Sequence, residues 1–156
     1  MPNAPSPRRI IPPPLLLVAC LLTGAGLQYV RPWPLAPYSF LVGMSAGGLL
    51  LVLSGLFGLR ALLLMRKHRT PVEPWKSPLH LVTEGPFRWT RNPLYLTMCT
   101  FMTALALMVN SAWVLGSALL LAVLLDRLVI SREEKILQAI FGSAYTAYKG
   151  RVRRWL

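Results

Sequence analysis

Four long apolar runs, each closed by basic or helix-breaking residues, constrain this chain more than any other feature. Ser39 to Met65 is long enough, at about 1.5 Å per helical residue, to cross a hydrocarbon layer about 30 Å thick even when tilted. Leu15 to Val30 is shorter and ends at Arg31-Pro32-Trp33-Pro34, a break that places a tryptophan at a membrane interface. Leu94 to Val109 and Ala112 to Ile130 are separated only by Asn110-Ser111, the length of a tight helical hairpin, so they are expected to lie antiparallel and adjacent. With 54% hydrophobic and 14% charged residues, the chain is too apolar for an ordinary soluble domain. The expected architecture is therefore an all-α integral membrane domain over residues 15–156 with four transmembrane helices, after a proline-rich tail of residues 1–14.

Within the second run, Gly43, Gly47, Ser54 and Gly58 form a stripe of small residues that permits close helix contact in lipid, although glycine is also simply common in such helices. After the fourth run, Arg132 to Leu156 places Leu137, Ile140, Phe141, Ala144, Tyr145, Tyr148, Val152 and Trp155 at helical spacing among several basic residues. That pattern fits an amphipathic helix on the membrane surface, with Gly142 and Gly150 as candidate interruptions. Cys20 and Cys99 lie inside apolar runs, as small buried hydrophobes do, and form neither a disulfide framework nor a metal pattern. Leu17-Val18-Ala19-Cys20 looks like the end of a lipoprotein signal. The apolar stretch before it, however, begins only at Leu15, which is short for a signal core, and a plain first span fits better.

A net charge of +12 by itself would suit nucleic acid, but the basic residues flank apolar runs rather than line a water-facing groove, which points to a lipid surface. Their distribution also sets a topology. Arg8 and Arg9 precede the first run, only Arg31 follows it, and Arg66, Lys67, Arg69, Lys76, Arg88 and Arg91 crowd the second loop. The hairpin has none, and the C-terminal segment has at least six more. Both termini and the second loop are thus expected on the cytoplasmic face of what would be a bacterial inner membrane.

All five acidic residues, Glu73, Glu84, Asp126, Glu133 and Glu134, belong to or border that same face. Glu133-Glu134 stands where the fourth run leaves the membrane, and Arg127 and Arg132 offer it an interfacial ion-pair cluster. Before the third run, Asn92-Pro93 reads as a helix N-cap followed by a first helical residue that needs no donor. Arg88 and Arg91, three apart, would share a face if that turn is helical and could jointly grip a carboxylate or phosphate; anchoring of a lipid headgroup explains them as well.

Order and spacing carry a resemblance. The stretch Leu81-Val82-x-x-Gly85-Pro86-Phe87-Arg88-x-x-Arg91-Asn92-Pro93-x-Tyr95, a helical hairpin, and then Arg132-Glu133-Glu134-x-x-Leu137-x-x-x-Phe141-Gly142-x-x-Tyr145-x-x-Tyr148-x-x-x-Val152 resembles the isoprenylcysteine carboxyl methyltransferases and the related phospholipid methyltransferases, over about Pro71 to the end. The resemblance implies a membrane enzyme that uses S-adenosylmethionine, bound from the cytoplasmic side, to methylate a lipid-like acceptor, with no metal. By position it assigns His80, Leu81, Val82, Phe87, Arg91, Asn92, Pro93 and Glu133 to cofactor binding.

The chain departs from that pattern at three positions. Asn92 stands where the family has histidine, Phe87 where tyrosine is more usual, and Val129 where the carboxyl methyltransferases have an arginine that holds the substrate carboxylate. Arg127 and Arg132 are the candidate replacements on the substrate side. On the catalytic side, Glu134 is the nearest carboxylate to take a proton from an amine or thiol, and Arg88 is the second candidate. Two other functions remain open at this level. One is an NADPH-dependent reductase akin to the membrane sterol reductases, although this chain is about half their size. The other is a non-catalytic membrane scaffold.

Overall fold

A computed structural model describes residues 11–72 and 78–156; the expected roles of Arg8, Arg9, Glu73 and Lys76 in the charge pattern lie outside the described residues. The described chain forms α1 (Pro13–Val30), α2 (Phe40–Lys67), a short 3₁₀ turn (Gly85–Arg88), α3 (Pro93–Met108), α4 (Ala112–Leu124), a π-helical segment (Leu125–Ile130) and α5 (Ser131–Arg151). No strand occurs among the described residues.

Helix ends follow from local chemistry. Pro13 and Pro14, expected in the tail, occupy the first turn of α1, where a missing N–H costs nothing. Ser39 caps α2 by accepting from Val42 N, and Ser111 caps α4 by accepting from Val114 N at 3.2 Å. Three helices are long and apolar enough to cross a membrane by length and composition: α1, α2, and the continuous helix that begins at Ala112. The 16-residue α3 is apolar but shorter.

Packing runs in the order α1, α4, α3, α2. The stripe on α2 works as expected: Gly43, Gly47, Ser54 and Gly58 are buried, with Ala61 continuing the same line. A Cβ at Gly43 would sit 2.7 Å from the Leu107 carbonyl oxygen, and one at Gly47 would sit 2.6 Å from that of Ala104. The α2 and α3 backbones thus approach closely because the stripe lacks side chains. Ser54 Oγ, which receives the Thr100 hydroxyl at 2.9 Å, ties the same seam. Between α1, α3 and α4 lies the apolar core of Cys20, Tyr95, Met102, Ala118, Leu121, Leu125, Val129 and Ile130.

At one end of the bundle, Asn110 has φ 48° and closes the hairpin. Its Oδ1 accepts from Leu35 N and Ala36 N while its Nδ2 donates to Ala36 O, so the hairpin and the α1–α2 loop seal each other. Arg60, the charge inside α2, is exposed and lies beside Gly85, which φ 57° reserves for a residue without a side chain.

The structure corrects the expected boundary between the fourth span and a separate surface helix. No break separates them: α4 widens into the π segment and continues as α5. The bend comes at Gly142 (φ 50°, ψ −121°), whereas Gly150 stays helical. The helix stops at Arg151, so 152–156 form a non-helical strap rather than the last turn of a surface helix.

Candidate active site at the helix exit

The strap folds back across the turn that precedes α3. Arg91 N donates to Arg153 O at 3.0 Å, and the carbonyl of Arg154 accepts from Thr90 Oγ1 at 3.0 Å and Asn92 Nδ2 at 2.9 Å. Asn92 therefore sits at the N-cap position of α3, as expected, but its side chain does not cap the helix; the amide donates to the strap instead. From α5, the Tyr148 hydroxyl donates to Phe87 O at 2.7 Å. These bonds join three separate stretches of sequence into one wall.

Charged side chains link the same stretches in a row. Arg154 Nη1 donates to both Asp126 oxygens at 3.1 and 3.2 Å, and its Nε and Nη2 donate to Glu134 at 3.2 and 2.6 Å. Glu134 Oε1 then meets Arg91 Nη2 at 3.0 Å. Trp155 Nε1 adds a bond to Asp126 Oδ1. Glu134, and to a lesser degree Asp126, hold the Arg154 guanidinium above its ordinary pKa despite partial burial. Asp126 reaches this row from the π segment, a widening of the helix common at functional positions. The row ends at Arg91, whose side chain is 10% exposed and whose Nε and Nη1 are buried without a hydrogen-bond partner among the described residues.

Arg91 itself lines two cavities. The first, with about 740 Å³ unfilled counting its open mouth, is the more polar of the two, lined by Arg91, Asn92, Glu133, Glu134, Tyr145 and Tyr148 together with His80, Leu81, Val82 and other apolar residues. Burial pushes the Tyr145 hydroxyl up to about 12 and raises that of Tyr148 as well, so both remain neutral donors near neutral pH. The second, of about 670 Å³ on the same measure, has mostly apolar walls from the start of α1, the end of α2 and the start of α3. Phe87, Arg91, Asn92 and Glu133 border both. Glu133 Oε2 accepts the Tyr95 hydroxyl at 2.9 Å, and Tyr95 lies on the apolar side.

Of the residues expected to bind cofactor, His80, Leu81, Val82, Phe87, Arg91, Asn92 and Glu133 all line the first cavity, and Pro93 lines the second. Arg88, Arg127 and Arg132 are exposed and line neither. Arg127 approaches only Asp126, at 3.9 Å, with its side chain 80% exposed. Val129 is fully buried in the apolar core. Glu134, the expected base, accepts hydrogen bonds from the Arg154 guanidinium and forms an ion pair with Arg91 at 3.0 Å. Sequence reasoning missed Tyr95 as a partner of Glu133, and Arg154 with Asp126. The five acids had been counted, but nothing local tied Arg154 to residues 20 and 28 positions away.

Comparison with known proteins places this site in context. A model of the phospholipid methyltransferase family matches residues 42–144, which include nearly all of α2, the pre-α3 turn, the hairpin and the first two thirds of α5. A Haemophilus influenzae protein, described as uncharacterized, is 30% identical over 63 residues, 40% of this chain and 100% of that protein. No solved structure matches the chain. With the family model covering more than half of its length, and with the residues around both cavities largely inside the match, the chain belongs to the phospholipid methyltransferase family of membrane methyltransferases.

Proposed function

We propose that this protein is a membrane-embedded methyltransferase that uses S-adenosylmethionine to methylate a lipid or lipid-like acceptor. In this reading α1 to α4 are four transmembrane helices and the cavities open at the cytoplasmic end. S-adenosylmethionine supplies a methyl group activated on a sulfonium sulfur. The observation that carries the reading is Arg91, which borders both cavities and whose buried Nε and Nη1 have no partner among the described residues. Buried donors of this kind call for an anion, and the carboxylate of the cofactor's amino-acid end fits a guanidinium edge.

The other donors fit the same molecule. Tyr145 offers a phenol group, and His80, Leu81 and Val82 line the same cavity. Glu134, held by Arg154, fixes the direction of Arg91. Because methyl transfer needs alignment and exclusion of water more than it needs strong acid or base groups, a rigid, half-enclosed wall is suited to it.

The reading is tested by equilibrium binding of S-adenosylmethionine to the purified protein and to Arg91→Ala. A charge-assisted bond is worth about 1.5–3 kcal/mol, so Arg91→Ala should weaken binding roughly tenfold or more. In membranes given methyl-labelled S-adenosylmethionine, label should enter the lipid extract only where the protein is present. Equal affinity for parent and variant, or label absent from lipid, would sink the proposal.

A further inference from the structure

Arg60 interrupts the apolar length of α2 well before the basic end at Arg66-Lys67, and it lines neither cavity. Counted from Phe40 at about 1.5 Å per residue, it lies about 30 Å along the helix, the thickness of a bilayer's hydrocarbon layer. It therefore stands at the level of the lipid headgroups. Trp89 marks the same level: its ring stacks on Phe57, one turn before Arg60, with centroids 6.2 Å apart. Trp89 is nonetheless 69% exposed, as suits an indole at a membrane interface.

A second guanidinium belongs to this joint. Arg60 Nε passes 4.0 Å from the position a Cβ would take on Gly85, the first residue of the 3₁₀ turn Gly85–Arg88. Residues three apart in such a turn eclipse one another, so Arg88 lies on the edge that Arg60 overlies. Both arginines are exposed, and neither makes a hydrogen bond or ion pair with a carboxylate among the described residues. Glu84, next to Gly85, is bonded to His68 instead.

Two guanidinium groups at headgroup depth suit a phosphate. A zwitterionic head would bring its ammonium into the same basic surroundings, where the nearest acid in sequence is already engaged. An anionic head brings no such conflict. Leu49, Leu53 and Leu56 share the Arg60 face of α2, at spacings of four, three and four, and are exposed, so they offer an apolar track from that head toward the bilayer centre.

From this arrangement we infer that Arg60, Arg88 and Trp89 bind one anionic phospholipid on the outer surface of the protein. Its phosphate sits between the guanidinium groups and an acyl chain runs along Leu56, Leu53 and Leu49. The lipid clamps α2 to the turn that carries Phe87 into both cavities. The inference needs α2 to cross a membrane but is independent of methyl transfer, because the bound lipid lies outside the cavities and is not the acceptor.

The test mixes full-length protein in neutral detergent with equal amounts of phosphatidylglycerol and phosphatidylethanolamine of identical acyl chains, and counts bound lipids by native mass spectrometry. The parent should carry one phosphatidylglycerol about tenfold more often than one phosphatidylethanolamine, and Arg60→Gln with Arg88→Gln should remove most of that preference. Lys135→Gln with Arg151→Gln, which removes the same charge from exposed positions on α5, should leave it intact. No preference in the parent, a preference that survives loss of both arginines, or an equal loss in the α5 variant would overturn the inference. Inorganic phosphate in excess should leave the lipid in place; complete displacement would make this a site for free phosphate and overturn the lipid assignment. Should the double variant not fold, Arg60→Gln alone decides: the preference falls at least by half if the inference is right and persists if it is wrong.

Discussion

At the scale of single residues, Asn92 shows how much of a site can hide behind a sound local reading. Asn-Pro does mark the start of a helix, and α3 does begin at Pro93. What the pair could not disclose is that the Asn92 amide donates to a carbonyl 62 residues away. The need at this position is for a donor, which explains why an amide can stand where the resembled enzymes carry an imidazole. Asn92→His, with a ring N–H in reach of the Arg154 carbonyl, should keep cofactor affinity within a few fold of the parent. Asn92→Asp can only accept, would set its oxygen against that carbonyl, and should lose about 1–3 kcal/mol of stability, with strap and turn separating. Thermal unfolding in detergent, alongside cofactor binding, distinguishes these outcomes. Arg154 was illegible for a related reason: in a chain with 17 basic residues, one more near the end reads as membrane anchoring until its two carboxylates are seen.

At the scale of elements, the apolar helices were legible because hydrophobic length and small-residue spacing are properties of the sequence itself. The α2–α3 seam follows from the stripe directly. Gly47→Ala should place a methyl against the Ala104 backbone carbonyl, which cannot swing aside as a side chain would, and should cost about 1–3 kcal/mol. Gly48→Ala, with nothing within 4 Å of its new methyl, should stay within about 0.5 kcal/mol of the parent. Resistance to unfolding by a denaturing detergent compares the two. The boundary after Ile130 was less legible, because a change of polarity looked like a change of element. Ser131-Arg132-Glu133-Glu134-Lys135 contains no helix breaker, so the backbone continues through it. The π segment left no signature in composition, although it is the element from which Asp126 reaches Arg154.

At the scale of the whole molecule, the basic loops, the start of α1, the exit of the long helix and the strap all meet at one end of the bundle, whereas Asn110, Ser111 and the α1–α2 loop close the other. Charge counting anticipated this division, since loops sharing a membrane face must share an end of the bundle. It could not supply the two cavities, which depend on contacts between residues far apart in sequence. If the basic end is cytoplasmic, a C-terminal green fluorescent protein fusion should fluoresce and a C-terminal alkaline phosphatase fusion should stay inactive in a bacterial host; the reverse pair of results would invert the orientation.

Asp126, Arg154, Glu134 and Arg91 make a sequence of signs, minus, plus, minus, plus, in which each group is steadied by its neighbours and the last keeps two buried nitrogens without a partner among the described residues. Such a sequence is asymmetric: its inner end is fixed in a helix, and its outer end lacks a terminating anion. A ligand supplying that anion therefore does more than occupy space. It completes an electrostatic lattice that runs from the membrane helix through the strap to the loop, so that recognition of a small molecule and the cohesion of three distant chain segments become a single event.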